Sequence, residues 1–63
     1  MKYVVATTRI KKDGSVAKGA KRHALTTFGS VHYFSSLNTA KIAAKNISRN
    51  LYKVEIYTGN WGN

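Results

Sequence analysis

The chain contains no cysteine. Disulfide staples and thiolate chemistry are therefore excluded. Only two histidines and two acidic residues occur among the 63. A structural zinc site draws on four such ligands, and so small a donor set argues against one. No metal and no cofactor is expected. No apolar run approaches the roughly 20 residues that cross a bilayer. The start, Met1-Lys-Tyr-Val-Val-Ala, carries too short an apolar stretch for a signal peptide. The expectation is a soluble, cytoplasmic protein with no membrane partner. The five glycines are scattered as single turns, so no phosphate-cradling fingerprint exists.

The shortage of acid is the most informative deficit. Eleven Lys and Arg face the two acids, giving a net charge of +9 and a pI near 10.3. A solubilising coat usually mixes both signs. A surface of one sign attracts polyanions and is steered to them at long range. Nucleic acid is the first candidate partner. The acidic surface of another protein is the second.

The length supports a single domain covering residues 1–63. A chain of this size buries only about 60% of its unfolded surface, so its stability is modest. At 43% apolar, the composition is that of a folded chain rather than a disordered one.

One stretch organises the rest, from Phe34 to Ile56. Ser36 is a good helix N-cap. Thr39 stands where a capping box would place Glu, so that box is incomplete. Leu37, Ala40, Ala44, Ile47 and Leu51 make one apolar stripe at helical spacing. Lys41, Lys45 and Arg49 fall on another side. Asn50 suits the helix end. The chain then alternates with period two: Tyr52, Val54, Ile56 and Thr58 on one face, Lys53, Glu55 and Tyr57 on the other.

Upstream, residues 2–11 read as a strand rich in β-branched residues. Val4, Ala6, Thr8 and Ile10 form its expected core face. Asp13-Gly14 signals a turn, and a short hairpin tip is expected to dissolve into loop near Gly19. Residues 22–28 read as a second strand and 31–35 as a third. Gly29-Ser30 is the expected two-residue loop between them. The tail from Gly59 to Asn63 reads as turn-like. The order is β-β-β-α-β, an α+β domain with a small antiparallel sheet covered by one helix. The expected buried set is Val4, Ala6, Ile10, Phe34, Leu37, Ala40, Ala44, Ile47, Val54 and Ile56.

No constellation supports catalysis. Asp13 lies in a turn and Glu55 on a strand amid lysines, so no carboxylate pair converges. His23 and His32 are not direct neighbours across the expected hairpin. Ser35-Ser36 has no nearby base and is explained by capping. The chain is expected not to be an enzyme.

Three strands followed by a helix, with the run Phe34-Ser-Ser-Leu-Asn-Thr-Ala entering that helix, resemble two DNA-binding families. These are the plant AP2-type domain and the arm-binding domain of tyrosine integrases, over residues 3 to 50. The resemblance implies reading of DNA by the sheet. It is one of element order, and no site residue is carried over. The fourth strand departs from both families, and their tryptophan and Gly-Arg-rich patterns are missing. The length and charge also resemble small proteins of bacterial viruses.

The basic constellation carries the functional expectation. Arg9, Lys11, Lys12, Lys18, Lys21 and Arg22 concentrate around the first two strands and their connection. His23 and Tyr33 are expected to join them on the open sheet face. Cations contact phosphates, and flat side chains supply stacking or groove contacts. The expected function is a small non-enzymatic nucleic-acid-binding domain, for DNA or RNA. The alternative is a small virus-type protein that docks on an acidic host protein, such as a nucleic-acid enzyme, and inhibits or modifies it. That contact would use Tyr57, Trp61 and the cations.

Overall fold

The computed structural model describes residues 1–61. Five strands and one helix follow in the order β1 (Tyr3–Arg9), β2 (His23–Ala24), β3 (Thr26–Thr27), β4 (Ser30–Val31), α1 (Leu37–Lys45) and β5 (Tyr52–Thr58). The domain is α+β, with antiparallel pairing and a single helix. Gly62 and Asn63, part of the expected turn-like tail, lie outside the described residues. No helix among the described residues is long and apolar enough to cross a membrane.

β1 is the central strand, in the order β2-β1-β5. It pairs with β5 along its whole length, from Tyr3 opposite Thr58 to Arg9 opposite Tyr52. On its other edge Ala6 opposes Ala24 and Thr7 opposes His23. A central strand is screened by neighbours on both edges, so both of its faces can be closed. Val4, Val5, Ala6 and Thr8 are all buried. The helix packs on Val5, whose core neighbours are Ala40 and Ala44. Val54 and Ile56 pack from the same side.

That assignment corrects the expected core face of β1. Val4 and Ala6 are buried as expected, but they point away from the helix. Adjacent residues of a strand face opposite sides, and the helix takes Val5. Sequence pattern misleads here because Val4 and Val5 are equally apolar. The small alanines explain the close approach of α1: Ala40 and Val5 are both 0% exposed. Burying a valine stabilises by roughly 1.5–3 kcal/mol.

The helix starts as expected and stops early. Ser36 caps it, its Oγ accepting from the Asn38 N–H at 3.1 Å. Thr39, in place of a capping-box Glu, donates its hydroxyl to the Ser36 carbonyl at 2.8 Å. The helix ends at Lys45, with Asn46 rather than Asn50 as its C-cap. The Asn46 N–H donates to Ala43 O and the Ile47 N–H to Ala44 O, bonds that tighten the last turn. Ile47 therefore leaves the helix, yet it still packs against the core. Leu37 and Leu51, expected on the buried stripe, are exposed. Ile10, Phe34, Val54 and Ile56 are half-buried.

The expected second strand is split at Leu25. Its N–H donates to Val5 O at 3.0 Å, and its carbonyl accepts from the His32 N–H at 2.9 Å. Leu25 thus ends the pairing with β1 and opens a separate hairpin of β3 and β4. Phe34 then returns to the same edge, exchanging both backbone hydrogen bonds with Tyr3 at 2.8 and 2.9 Å. The edge strand carries a hairpin as an excursion.

The turn of that hairpin is Phe28-Gly29, not Gly29-Ser30, because Thr27 opposes Ser30 and Thr26 opposes Val31. Both turn residues have positive φ, 53° for Phe28 and 82° for Gly29. A type I′ loop has this pattern and matches the twist of the strands. Asn-Gly is its preferred pair. Phenylalanine in the left-handed region costs roughly 1–2 kcal/mol, and the Phe28 side chain is fully exposed. Phe28→Asn is therefore expected to stabilise the domain by about 1 kcal/mol. A urea midpoint that does not rise would show that this turn carries no such strain.

Candidate nucleic-acid interface

The basic connection begins as a hairpin tip. Ile10 bridges Val16, and the Lys11 N–H donates to Ser15 O at 2.8 Å. The Gly14 N–H closes a turn onto Lys11 O at 2.9 Å, with φ of +90° at Gly14. This is the three-residue hairpin loop whose glycine takes the left-handed position. Asp13 pins the tip: one carboxylate oxygen accepts from the Ser15 N–H at 2.9 Å and the Ser15 hydroxyl at 2.7 Å. Those bonds, the backbone one first, hold the Asp13 carboxyl below the usual carboxylate range. The one acid of the tip is thus engaged by its own loop. Past Ala17 the chain turns again, the Ala20 N–H donating to Ala17 O. The expected hairpin dissolving near Gly19 matches this path.

The expected cations do not form one patch. Lys11 and Lys12 line a shallow depression at the tip, together with Arg49 and Asn50. Arg9, Lys21 and His23 line a second one with Tyr52. Lys21 and Arg22 line a third, open groove with Tyr57, Asn60 and Trp61. Ala20 and Lys21 border both of the last two, so those grooves adjoin. Lys18 is exposed in its turn and lines none of the three. Arg49 was expected on the helix stripe with Lys41 and Lys45. The early helix end releases it to the tip.

His23 and Tyr33 lie on different sides. His23 opposes Thr7, on the side of Val5. Phe34 opposes Tyr3 and packs with the helix core, which turns the preceding Tyr33 to the other side. There Tyr33 meets the residues expected for protein contact. The Trp61 backbone N–H donates to the Tyr33 hydroxyl at 3.1 Å. The Trp61 and Tyr57 rings lie 5.6 Å apart at 53°. Arg22 donates to the Tyr57 hydroxyl at 2.9 Å, and its guanidinium stands 5.3 Å from the centre of that ring. Lys2 lies 5.0 Å from the centre of the Tyr33 ring. The result is a continuous row across the side away from the helix: Lys2, Tyr33, Trp61, Tyr57, Arg22.

Each cation over a ring is held there by the attraction of the ring face for positive charge. The Tyr57 hydroxyl, through its hydrogen bond first and its charge second, raises the Arg22 pKa further. Arg22 is charged at every accessible pH. A similar pair joins Arg9 to Tyr52, at 5.8 Å.

Lys2, Tyr52 and Arg49 are additions that sequence reasoning missed. Lys2 shares strand parity with Val4, the one signal that places it on this side. No local signal joins it to Tyr33, because that contact needs the Tyr3–Phe34 bridge. Among the described residues no group of three or more His, Asp or Glu could hold a metal ion.

No protein-family model, curated protein or solved structure matches this chain.

Proposed function

We propose that this protein is a small, non-enzymatic domain that binds nucleic acid through its basic connection and the sheet faces beside it. The observation that carries the reading is the gathering of Arg49 with Lys11 and Lys12 at the hairpin tip. Arg49 is far from Lys11 and Lys12 in sequence, and the one acid among them is occupied by Ser15. Phosphate contacts are assigned to Arg9, Lys11, Lys12, Lys18, Lys21, Arg22 and His23. Tyr33 supplies a base or sugar contact. Cations of this kind position a protein on its polyanion without reading sequence.

A second reading draws on the groove. Tyr57, Trp61 and Arg22 together make the residue set enriched at binding hot spots between proteins. In this reading the protein docks on the acidic surface of a host protein and inhibits or modifies it. One pair of measurements separates the two. Gel shifts with duplex and single-stranded DNA and RNA are run at low and moderate salt, and a lysate pull-down is run after nuclease treatment. Retarded nucleic acid at moderate salt supports the first reading. A single protein retained through nuclease, with nucleic-acid affinity lost at moderate salt, overturns it in favour of the second.

A further inference from the structure

We infer that the groove between the Ala20–Arg22 segment and the end of β5 takes a single strand of nucleic acid, with bases stacking on Trp61. This inference rests on the nucleic-acid reading and specifies its ligand.

The argument starts from what the row of side chains can touch. In a duplex each base face is covered by its neighbours, and a protein reaches only base edges and phosphates. An aromatic ring gains a base face only where bases are unstacked, in single strands. The row links the Tyr33 hydroxyl to the Trp61 backbone and sets the Trp61 ring beside Tyr57, with a cation at each end, Lys2 and Arg22. A base laid on the rings thus brings its flanking phosphates toward those cations. That alternation is the one a stacking platform with an electrostatic track requires.

The partners of each ring decide which one stacks. Arg22 already covers Tyr57, and Lys2 covers Tyr33. Trp61 meets Tyr57 at a tilt of 53°, not face to face. It is half-buried and lines the open groove. Trp61 is therefore the stacking ring, with Tyr57 and the Tyr33 hydroxyl holding it in place. Lys21 borders this groove beside Arg22 and extends the cationic track past Trp61. Every base has a π-face, so the platform tolerates any sequence.

Trp61 is the only tryptophan of the chain, so its fluorescence reports the groove directly. The full chain is titrated at low salt with three probes of equal length: oligothymidylate, an abasic single strand with the same phosphates, and a duplex. Oligothymidylate is expected to quench Trp61 and to bind about 10-fold or more tightly than the abasic strand, the stacking of one or two bases. The abasic strand and the duplex are expected to bind without quenching. Trp61→Ala should bring oligothymidylate down to the abasic affinity, read by anisotropy of the labelled strand. Trp61→Phe should restore part of the difference. Equal affinity for oligothymidylate and the abasic strand with unchanged emission overturns the inference and leaves the nucleic-acid reading standing. So does a duplex that binds more tightly than oligothymidylate. Binding of none of the three overturns both.

Discussion

Ala40→Leu is expected to lower the melting temperature by roughly 5–20 °C, while Ile42→Ala on the same helix leaves it nearly unchanged. Ala40 is 0% exposed and sits against Val5, itself 0% exposed. No room exists for the extra carbons unless α1 lifts from the sheet. Overpacking of this kind costs about 1–3 kcal/mol. A domain of 60–100 residues shifts by about 4–8 °C for each kcal/mol. Stability here is small to begin with, since among the described residues the buried cluster between helix and sheet is Val5, Ala40 and Ala44. Ile42 is 61% exposed and points away from this core. Its truncation belongs with surface changes, within about 0.5 kcal/mol. Thermal melts followed by circular dichroism check both variants. A parent-like melt for Ala40→Leu would mean that α1 does not lie on Val5, and the packing of the helix on the sheet would be wrong.

The helix and the last strand were legible because each carries a local signal that nothing contradicts. Ser36 caps, Ala40 and Ala44 recur at helical spacing, and Tyr52 to Thr58 alternate. The helix end was not legible. Ile47 and Leu51 prolong the apolar spacing by coincidence, while the backbone bonds of Asn46 and Ile47 end the helix at Lys45. Spacing alone cannot separate a residue that packs from within a helix from one, such as Ile47, that packs from the loop after it. The parity of β1 failed for a different reason. A central strand is closed on both sides, so alternation fades and Val4, Val5 and Ala6 read alike. The hairpin register failed at Phe28. Its left-handed backbone is uncommon for phenylalanine, and a reading from preferences places such a residue in a strand.

The candidate site was legible in composition and not in geometry. Lysine and arginine counts gave the charge, and their density near residues 9–22 gave the segment. The division into neighbouring grooves depends on how the connection folds back, through the Ile10–Val16 bridge and the turn at Ala17 to Ala20. Tyr33 and Trp61 meet across 28 positions of sequence. Two functional expectations, nucleic-acid contact by Tyr33 and protein contact by Tyr57 and Trp61, turn out to share one side of the sheet. That convergence comes from β1 alone. It pairs Val4 with Tyr57 on one edge and Tyr3 with Phe34 on the other.

Changing Lys11, Lys12, Lys18 and Lys21 to Gln should clearly weaken the salt dependence of binding. Each duplex phosphate neutralised contributes about −0.9 to the log–log slope with salt, and each single-strand phosphate about −0.7. These four contacts supply roughly −3 to −4 of the slope, so through them alone a fourfold rise in salt weakens binding by about 100-fold. The quadruple variant should have a slope shallower by roughly 3 to 4 and should lose affinity for all sequences alike, since phosphates carry no sequence information. Folding should change little, because all four side chains are exposed. Lys18, which lines none of the three grooves, is the weakest of the four contacts. Restoring it alone should return less of the slope than restoring Lys21, which borders two grooves. Titrations of a labelled 20-mer at several salt concentrations measure each slope. If the parent and the quadruple variant give the same slope, the connection does not contact phosphates. The nucleic-acid reading would then lose its main support, and the groove holding Trp61 would stand as a protein contact.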